Sequence, residues 1–204
     1  MQGVYLNELE SLIILTSLPS IGSVKIRQLL QHYGTATAIL QAPLDELATF
    51  PSFTPKVMQA WKKGIDSEAW KSDLALAERL QADILLYTSP DYPKSLLEIH
   101  DFPLILYVKG KMIKNDAKSL AVIGTRQASI YGIEMAKELS FQLAQAGYTI
   151  VSGLARGIDT AAHQEALAGG RTIAVLGSGL ANLYPSENRS LAQAISNNGA
   201  LLSE

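Results

Sequence analysis

Cysteine is absent from the 204-residue chain. Disulfide bonds, thiolate catalysis and cysteine-based zinc sites are therefore excluded. Long apolar runs are also missing, because no stretch reaches the roughly 18 residues that a membrane span requires. The N-terminus MQGVYLNELES has no charged region followed by an apolar one, as a signal peptide would have. We therefore expect a cytoplasmic protein with no membrane contact.

An excess of basic charge is missing as well. The formal net charge is −2, with 17 Lys and Arg against 19 Asp and Glu, whereas proteins that bind nucleic acid usually show a clear basic excess. A nucleic-acid site on this chain would have to be a local basic patch. The hydrophobic share of 48% is enough for the core of one larger domain or of two small ones.

The motifs of nucleotide-dependent enzymes are incomplete. The sequence contains no G-x-x-x-x-G-K-[ST] motif, so P-loop hydrolysis has no support. Gly177-Ser178-Gly179 starts like a dinucleotide fingerprint, and Glu204 ends the next predicted strand where a ribose-binding acid would lie. The third glycine is missing, however, and residues 183–186 delay the following helix. We predict no cofactor.

The residue types of a hydrolytic triad are present at Ser152, Asp159 and His163, but their spacing does not fit one. Ser152 lacks the G-x-S-x-G turn, and Asp159 and His163 are four residues apart on one predicted helix. A first-turn acid and a buried, hydrogen-bonded histidine explain them more simply. We predict neither a catalytic residue nor a metal site, since two ligand-type side chains do not make a metal centre.

Residues 1–75 show helical apolar spacing interrupted by Gly and Pro, which predicts a small domain of short helices. The break at residues 18–22 followed by a helix resembles a helix-hairpin-helix, flanked by Lys25 and Arg27, whose hairpin amides can hold a DNA phosphate. A poorer second copy lies at residues 50–57. A helical packing or partner surface explains the same pattern equally well.

Residues 76–119 form a predicted connecting segment with two short apolar strands, at 84–87 and 104–108. From residue 120 onwards, apolar runs alternate with segments of helical period. The predicted strands are 120–123, 149–151, 172–176 and 200–202, and the predicted helices are 131–146, 157–168 and 187–197. This pattern predicts a Rossmann-like α/β domain, 120–204, with a parallel sheet whose strands are apolar on both faces and helices covering both faces.

Ligands of such sheets bind beyond the carboxyl ends of the strands. Glycines there let the backbone approach a ligand, hydroxyls donate hydrogen bonds, and arginines bind phosphate with two parallel bonds. Acidic Asp159, Glu187 and Glu204 lie near the same edge and would weaken the patch. The candidate phosphate-binding residues are Gly124, Thr125, Arg126, Ser152, Gly153, Arg156, Gly177, Ser178, Gly179 and Arg189.

Three motifs follow one another in the Rossmann-like part of the sequence: they run from Ala121 to Arg126, from Ser152 to His163 and from Ile173 to Leu180, with Tyr184-Pro185 and Asn188 after them. In this order they resemble the DprA/Smf family of DNA-processing proteins. Upstream, the stretches 91–93 and 103–110 resemble the same family. The ordered set spans about 80 residues and is far more specific than any one motif.

The resemblance implies an all-α domain like a sterile alpha motif (SAM), followed by a Rossmann-like domain. It implies a non-enzymatic protein that binds and protects single-stranded DNA in natural transformation, competence and recombination, helps to load the RecA recombinase, and forms a homodimer. The family's phosphate-contacting Gly-Ser/Thr-Arg motif falls on Gly124, Thr125 and Arg126. Its serine-glycine loop falls on Ser152 and Gly153.

The resemblance also predicts that the chain is truncated within its Rossmann-like domain. After Leu-Leu-Ser-Glu the family continues through a Phe-Pro-x-Arg-Asn-Arg segment and further strands, whereas this sequence stops at Glu204. We expect DNA affinity, dimerisation and RecA loading to depend on those parts, and the last apolar strand to be an open sheet edge.

Two other functions fit the sequence. One is a nucleotide-processing enzyme resembling the phosphoribohydrolases, whose catalytic acid would be Glu204 or Asp159. The other is a protein-interaction module that uses the helical domain.

Overall fold

The computed structural model describes residues 6–51, 53–65 and 68–204, which form two compact units. The first unit contains the described residues up to Leu76 together with Ser95–Ile105. The second contains Ala77–Lys94 and Leu106–Glu204. The segment 76–119 is thus shared between the units and contributes two strands to the sheet.

All regular structure described before residue 81 is helical, as predicted. Asn7 begins the first helix with a capping box, in which its side chain accepts from the Glu10 amide and the Glu10 carboxylate accepts from the Asn7 amide, both at 2.9 Å. The helices are α1 (Glu8–Ser17), α2 (Ser23–Tyr33), α3 (Ala36–Gln41), α4 (Leu44–Leu47), α5 (Pro55–Ile65) and α6 (Ala69–Leu80).

The apolar faces of these short helices form the core of the first unit. Trp61 is fully buried and meets Phe53 edge-on, with ring centroids 5.1 Å apart. Glu8 fixes the start of α3, because its carboxylate accepts from the amides of Ala36 (2.8 Å) and Thr37 (3.2 Å). Apolar burial and end-capping together stabilise helices that would be too short to persist alone.

The second unit contains a six-stranded sheet with the order β1-β2-β6-β5-β4-β3. Strands β3 to β6 are parallel, as predicted, while β2 pairs antiparallel with β6. The predicted α/β class is therefore confirmed, with a mixed rather than purely parallel sheet. The strands are β1 (Ala82–Leu86), β2 (Ile105–Gly110), β3 (Ser119–Ala121), β4 (Thr149–Ser152), β5 (Arg171–Val175) and β6 (Ala200–Ser203).

Three helices connect the parallel strands: α7 (Ile130–Gln145), α8 (Ile158–Gly169) and α9 (Arg189–Asn198). They lie close to the predicted bounds. Helix α8 packs against both α7 and α9, so these helices form one layer, and the expectation that they cover both faces is wrong. The reason is topological: β3 to β6 follow chain order across the sheet, so crossovers of one hand all return on the same side.

The open edge of the parallel strands is also not where the sequence placed it. Strand β6 lies between β5 and β2, whereas β3 is at the end of the sheet. All three residues of β3 are exposed, although this strand was predicted to be apolar and buried on both faces. The physical reason is that only an inner strand has neighbours along both of its edges.

Candidate nucleic-acid interface

Three loops follow the carboxyl ends of β3, β4 and β5 at one edge of the sheet, as predicted. These strands are direct neighbours, and neighbouring strands lie about 4.8 Å apart. The loops that begin at residues 122, 153 and 176 are therefore adjacent. They contain eight of the ten residues expected to bind phosphate. The other two lie just outside the loops, since Ser152 ends β4 and Arg189 begins α9.

The loop after β3 is the most accessible part of this edge. Gly124, Thr125 and Arg126 are all exposed. Within the described part of the chain, the Arg126 side chain makes no hydrogen bond or ion pair, so its guanidinium faces solvent with all five donors free. Such an arginine can bind a phosphate without first breaking an internal contact.

The backbone of this loop is held by the start of α8. The Ile158 amide donates to the Thr125 carbonyl oxygen at 3.3 Å. Gly157 has a φ of +77°, and a Cβ there would lie 2.4 Å from the same Thr125 oxygen. A Cβ on Gly124 would lie 2.6 Å from Cγ1 of Ile158. Both glycines are thus required for the close approach that holds Arg126 in position.

Ser152 and Gly153 face inward. The Ser152 hydroxyl is buried and donates to the Val122 carbonyl oxygen at 2.7 Å, which ties β4 to the start of the β3 loop. The Gly153 amide donates to the Asp159 carboxylate at 3.1 Å, and the Ala155 amide donates to the same oxygen at 3.4 Å. Both groups therefore organise the edge and are not free to donate to a ligand.

His163 is a buried structural residue. Thr172 donates its hydroxyl hydrogen to the Ile150 carbonyl oxygen at 2.7 Å, so it can only accept from His163 Nδ1, also at 2.7 Å. Nε2 then accepts from the Leu154 amide at 3.3 Å, which defines a neutral tautomer. Burial lowers the pKa of His163 to about 4, although the charge of Asp159 acts in the opposite direction. The hydroxyl of Ser152 does not face this histidine, and the three residues form no triad.

The loop after β5 presents a second exposed glycine-rich segment. Gly177 and Ser178 are exposed, and a Cβ on Gly177 would meet no atom within 4 Å. Gly179 has a φ of +74°, which turns the chain away from the strand. Arg189, at the start of α9, is exposed, and within the described residues its side chain has no hydrogen bond or ion pair.

Arg156 differs from Arg126 because an acid already holds it. Its Nε lies 2.5 Å from Oε1 of Glu187, and its guanidinium carbon lies 5.9 Å from the centre of the Tyr184 ring. The acids expected to weaken the patch thus behave differently: Asp159 is buried and accepts backbone amides, Glu187 pairs with Arg156, and Glu204 is exposed.

Sequence reasoning missed the side chains that support these loops. Asn188 is buried and donates to the Leu154 carbonyl oxygen at 2.9 Å and to the Thr160 hydroxyl oxygen at 2.8 Å. Thr160 in turn donates to the Ala155 carbonyl oxygen at 2.6 Å. Asn188 lies within the predicted helix 187–197 and among the residues that carry the family resemblance, but neither signal distinguishes an exposed polar side chain from a buried bridge between loops.

The first predicted hairpin in the helical unit is a tight turn between α1 and α2. Ser20 has a φ of +72°, and Lys25 folds back so that its Nζ donates to the Ser20 carbonyl oxygen at 3.2 Å. Arg27 is occupied elsewhere, because it donates to the His100 carbonyl oxygen and lies 4.2 Å over the Phe102 ring. At the second hairpin Ser52 lies outside the described residues, and Thr54 accepts from the Val57 amide at 3.4 Å.

Residues 6–51, 53–65 and 68–204 contain no helix that is long and apolar enough to cross a membrane. The same residues contain no group of three His, Cys, Asp or Glu side chains that could hold a metal ion.

Known proteins resemble this chain over most of its length. Protein Smf from Synechocystis is 34% identical over 192 residues, which is 90% of this chain and 48% of that protein. Protein Smf from Escherichia coli is 40% identical over 136 residues, which is 66% of this chain and 36% of that protein. The chain therefore spans about half or less of the length of these relatives.

Solved structures show the same fold. The X-ray structure of DNA processing protein A (DprA) from Streptococcus pneumoniae aligns with a TM-score of 0.71 at 30% identity, over 94% of this chain and 65% of that chain. A structure of DprA from Helicobacter pylori, determined for its single-stranded DNA binding mode, aligns with a TM-score of 0.53 at 34% identity, over 60% of this chain and 55% of that chain.

The family model described as DNA recombination-mediator protein A matches residues 83–204, which include the whole sheet beyond the first residue of β1 and all three loops described above. This match covers more than half of the chain, and it agrees with the relatives and with the fold. The chain belongs to the DNA recombination-mediator protein A family.

Proposed function

We propose that this chain binds single-stranded DNA without sequence preference, through the loops at the carboxyl edge of its parallel strands. The observation that carries this proposal is Arg126, which is exposed and unpaired within the described residues, on a loop that Gly157 and Ile158 hold in place. A preorganised arginine loses little conformational freedom when it binds a phosphate.

The binding residues contribute in different ways. Gly124, Thr125 and Arg126 contact one phosphate of the strand, and Gly177, Ser178 and Arg189 provide exposed donors beyond β5, beside the half-buried Gly179. Ser152 and Gly153 act indirectly, since their donors are used to hold neighbouring loops. Relatives support this assignment, because the Helicobacter pylori protein with the same fold is described as binding single-stranded DNA.

The test is a fluorescence anisotropy titration of labelled oligo-dT at low and moderate salt, beside a duplex control. We expect salt-sensitive binding that prefers the single strand. Arg126→Ala should weaken it about 10- to 100-fold, as for loss of one charge-assisted contact of about 1.5–3 kcal/mol. The salt slope should fall by about 0.7 for the lost phosphate contact.

Lys118→Ala is the matched control. It also removes one exposed positive charge, but Lys118 precedes β3 at the opposite edge of the sheet. Equal effects of the two substitutions would mean that binding follows net charge alone and has no site at the carboxyl edge.

We further propose that the chain is not an enzyme. The phosphoribohydrolase-like alternative needs a carboxylate that faces the cleft, and the Asp159 carboxylate is buried with two backbone amides bound to it. Glu204 remains exposed, so the alternative is tested directly by incubating the chain with nucleoside monophosphates. Release of free base, lost in Glu204→Gln, would overturn the proposal.

We also propose that the chain acts in DNA uptake and recombination as a homodimer that passes the bound strand to the RecA recombinase. The match to the family described as DNA recombination-mediator protein A supports the role in recombination. The exposed apolar residues on and next to β3 support self-association. For the recombinase, we expect the chain to accelerate RecA filament formation on protected single-stranded DNA. No acceleration, with DNA binding intact, would restrict the proposal to binding.

A further inference from the structure

Tyr184 and Arg156 form an exposed aromatic and cationic pair beside the candidate interface. Tyr184 lies in the loop between β5 and α9 and keeps 57% of its surface accessible. The guanidinium carbon of Arg156, in the loop after β4, lies 5.9 Å from the centre of its ring. Neither residue packs into the core, so this pair contributes little to the stability of the fold.

Contacts of the residues next to Tyr184 hold its loop in place. Pro185 is buried directly after it, and Leu183 packs against the core cluster of β5, β6 and α9. Asn188 ties the same segment to α8 through its bonds to Leu154 and Thr160. The tyrosine ring is therefore presented to solvent from a rigid base, which is the arrangement that a stacking partner requires.

We propose that Tyr184 and Arg156 form a nucleotide subsite, in which an unpaired base stacks on the Tyr184 ring and a phosphate replaces Glu187 at Arg156. This inference rests on the proposed function and adds a second contact point to it. Base stacking on an aromatic ring is tolerant of sequence, because every base has a π-face. The subsite is thus consistent with binding that has no sequence preference.

Glu187 has the properties of a competing anion. Its ion pair with Arg156 is half exposed on both sides, with 52% and 55% of the side-chain surfaces accessible. Exposed pairs of this kind are weak, so an anion that offers two oxygens in the same plane can displace the carboxylate. The hydrogen bond from Arg156 lowers the pKa of Glu187, so the carboxylate is charged at neutral pH and opposes an approaching phosphate.

The subsite adjoins the Arg126 loop. Arg156 directly precedes Gly157, and a Cβ on Gly157 would lie 2.4 Å from the Thr125 carbonyl oxygen. The backbone around Arg156 is therefore in contact with the loop that carries Arg126. One strand crossing the edge can meet both arginines.

The first test compares Glu187→Gln with Glu134→Gln in oligo-dT titrations at low salt. Both changes remove one exposed acid that pairs with a basic side chain, since Glu134 pairs with Lys137 at 3.0 Å on α7. We expect Glu187→Gln to tighten binding about 3- to 10-fold, and the salt slope to rise by about 0.7. Glu134→Gln should change affinity about twofold or less, as a general charge effect. Equal effects of the two changes, or weaker binding by Glu187→Gln, would overturn the subsite.

The second test concerns the ring. Tyr184→Phe keeps the stacking face, while Tyr184→Leu keeps apolar bulk without it. We expect Tyr184→Leu to weaken binding about 5- to 50-fold, and Tyr184→Phe to stay within about twofold of the unmodified chain. When an oligonucleotide containing 2-aminopurine binds, stacking on the ring should quench its fluorescence in the unmodified chain and in Tyr184→Phe. Tyr184→Leu should not quench it. Equal behaviour of the two variants would show that no base stacks there.

Arg156→Gln separates this inference from the proposed function. In a chain that already carries Arg156→Gln, adding Glu187→Gln should no longer tighten the binding of oligo-dT. If the chain binds oligo-dT and Arg126→Ala weakens it, but Glu187→Gln has no specific effect, then the subsite is wrong while the proposed function stands. If the unmodified chain does not bind at all, both are wrong.

Discussion

Single glycines determine whether the candidate interface can form. Gly157 and Gly147 both have positive φ, +77° and +87°, which disfavours any side chain. They differ in their surroundings, because a Cβ on Gly157 would meet the Thr125 oxygen at 2.4 Å, whereas a Cβ on Gly147 would meet nothing within 4 Å. The pair therefore separates backbone strain from displacement of the Arg126 loop.

We predict that Gly147→Ala lowers the free energy of unfolding by about 1–2 kcal/mol, the usual strain of a left-handed residue, and leaves DNA affinity unchanged. Gly157→Ala should lower the free energy of unfolding by about 1–3 kcal/mol more than Gly147→Ala does. It should also weaken oligo-dT binding roughly tenfold. Urea unfolding and anisotropy titrations check the two effects. Unchanged DNA affinity in Gly157→Ala would show that the position of this loop does not matter for binding.

At the scale of elements, one buried ion pair joins parts of the sheet that are distant in sequence. Arg171, at the start of β5, donates to Asp116 through Nε (2.6 Å) and Nη2 (2.8 Å), and it also bonds to the carbonyl oxygen of Asn198 at the end of α9. Asp116 accepts from Thr149 of β4 at 2.9 Å. This cluster fixes the amino edge of the parallel strands, opposite to the candidate interface.

Burial alone would raise the pKa of Asp116, but hydrogen bonds from Arg171, the Ile113 amide and Thr149 outweigh it, so the pKa is lowered. A lowered folded pKa contributes stability above the unfolded carboxyl pKa and loses it as pH falls through the folded value. We predict that Asp116→Asn lowers the free energy of unfolding at pH 7 by about 3–5 kcal/mol, because it leaves the largely buried Arg171 guanidinium without its counter-charge. Between about pH 4 and pH 2, the free energy of unfolding should also fall less for the variant than for the unmodified chain. The free energy of unfolding is measured by chemical denaturation at each pH. If it depends on pH in the same way for the variant and the unmodified chain, Asp116 does not have this role.

At the scale of the whole molecule, His163 makes the free energy of unfolding depend on pH in the mildly acidic range. Its pKa falls to about 4 in the folded protein, against about 6.5 in an unfolded chain. Between these values the unfolded chain binds the extra proton, so stability decreases as pH falls from about 6.5 to about 4. We predict a loss of about 2–3 kcal/mol over this interval.

The measurement is the free energy of unfolding in urea at several pH values. His163→Gln should flatten this part of the curve, whatever its effect on stability at pH 7. His100→Gln, at an exposed histidine, is the control and should keep the slope of the unmodified chain. A flat curve for the unmodified chain would contradict burial of His163 in its neutral form.

The open edge of the sheet is the second property of the whole molecule. Exposed apolar residues lie on β3, just after it, and in the first turn of α7: Leu120 (40%), Ile123 (73%), Ile130 (85%) and Tyr131 (75%). An unpaired edge with apolar side chains associates readily. We predict concentration-dependent self-association of this chain in sedimentation velocity experiments, reduced by Ile123→Lys.

Ile113→Lys is the control for that substitution, because it places the same charge at another exposed isoleucine, outside the β3 edge. If the chain sediments as a monomer at all concentrations, or if both variants reduce association equally, the β3 edge is not the contact surface.

Much of the interface could be predicted because it depends on local pattern. Apolar runs and helical spacing predicted four parallel strands and three helices close to their observed bounds. The carboxyl edge followed from strand direction alone, and Arg126 was correctly expected in an exposed loop after the first of these strands. The order of strands was not predictable in this way, so the sequence misplaced the open edge and assigned the helices to both faces.

The sequence by itself determined the fold class, the family and the edge at which a phosphate-bearing ligand is expected, because periodicity, strand ends and motif order are all local properties of the chain. Only the tertiary structure decided which polar groups at that edge are free. Ser152, Gly153 and Asp159 satisfy one another or the backbone, Arg156 is held by Glu187, and Arg126 faces solvent. Hydrogen-bond partners come from segments that are distant in sequence, so no spacing rule could distinguish an arginine that is held from one that is free.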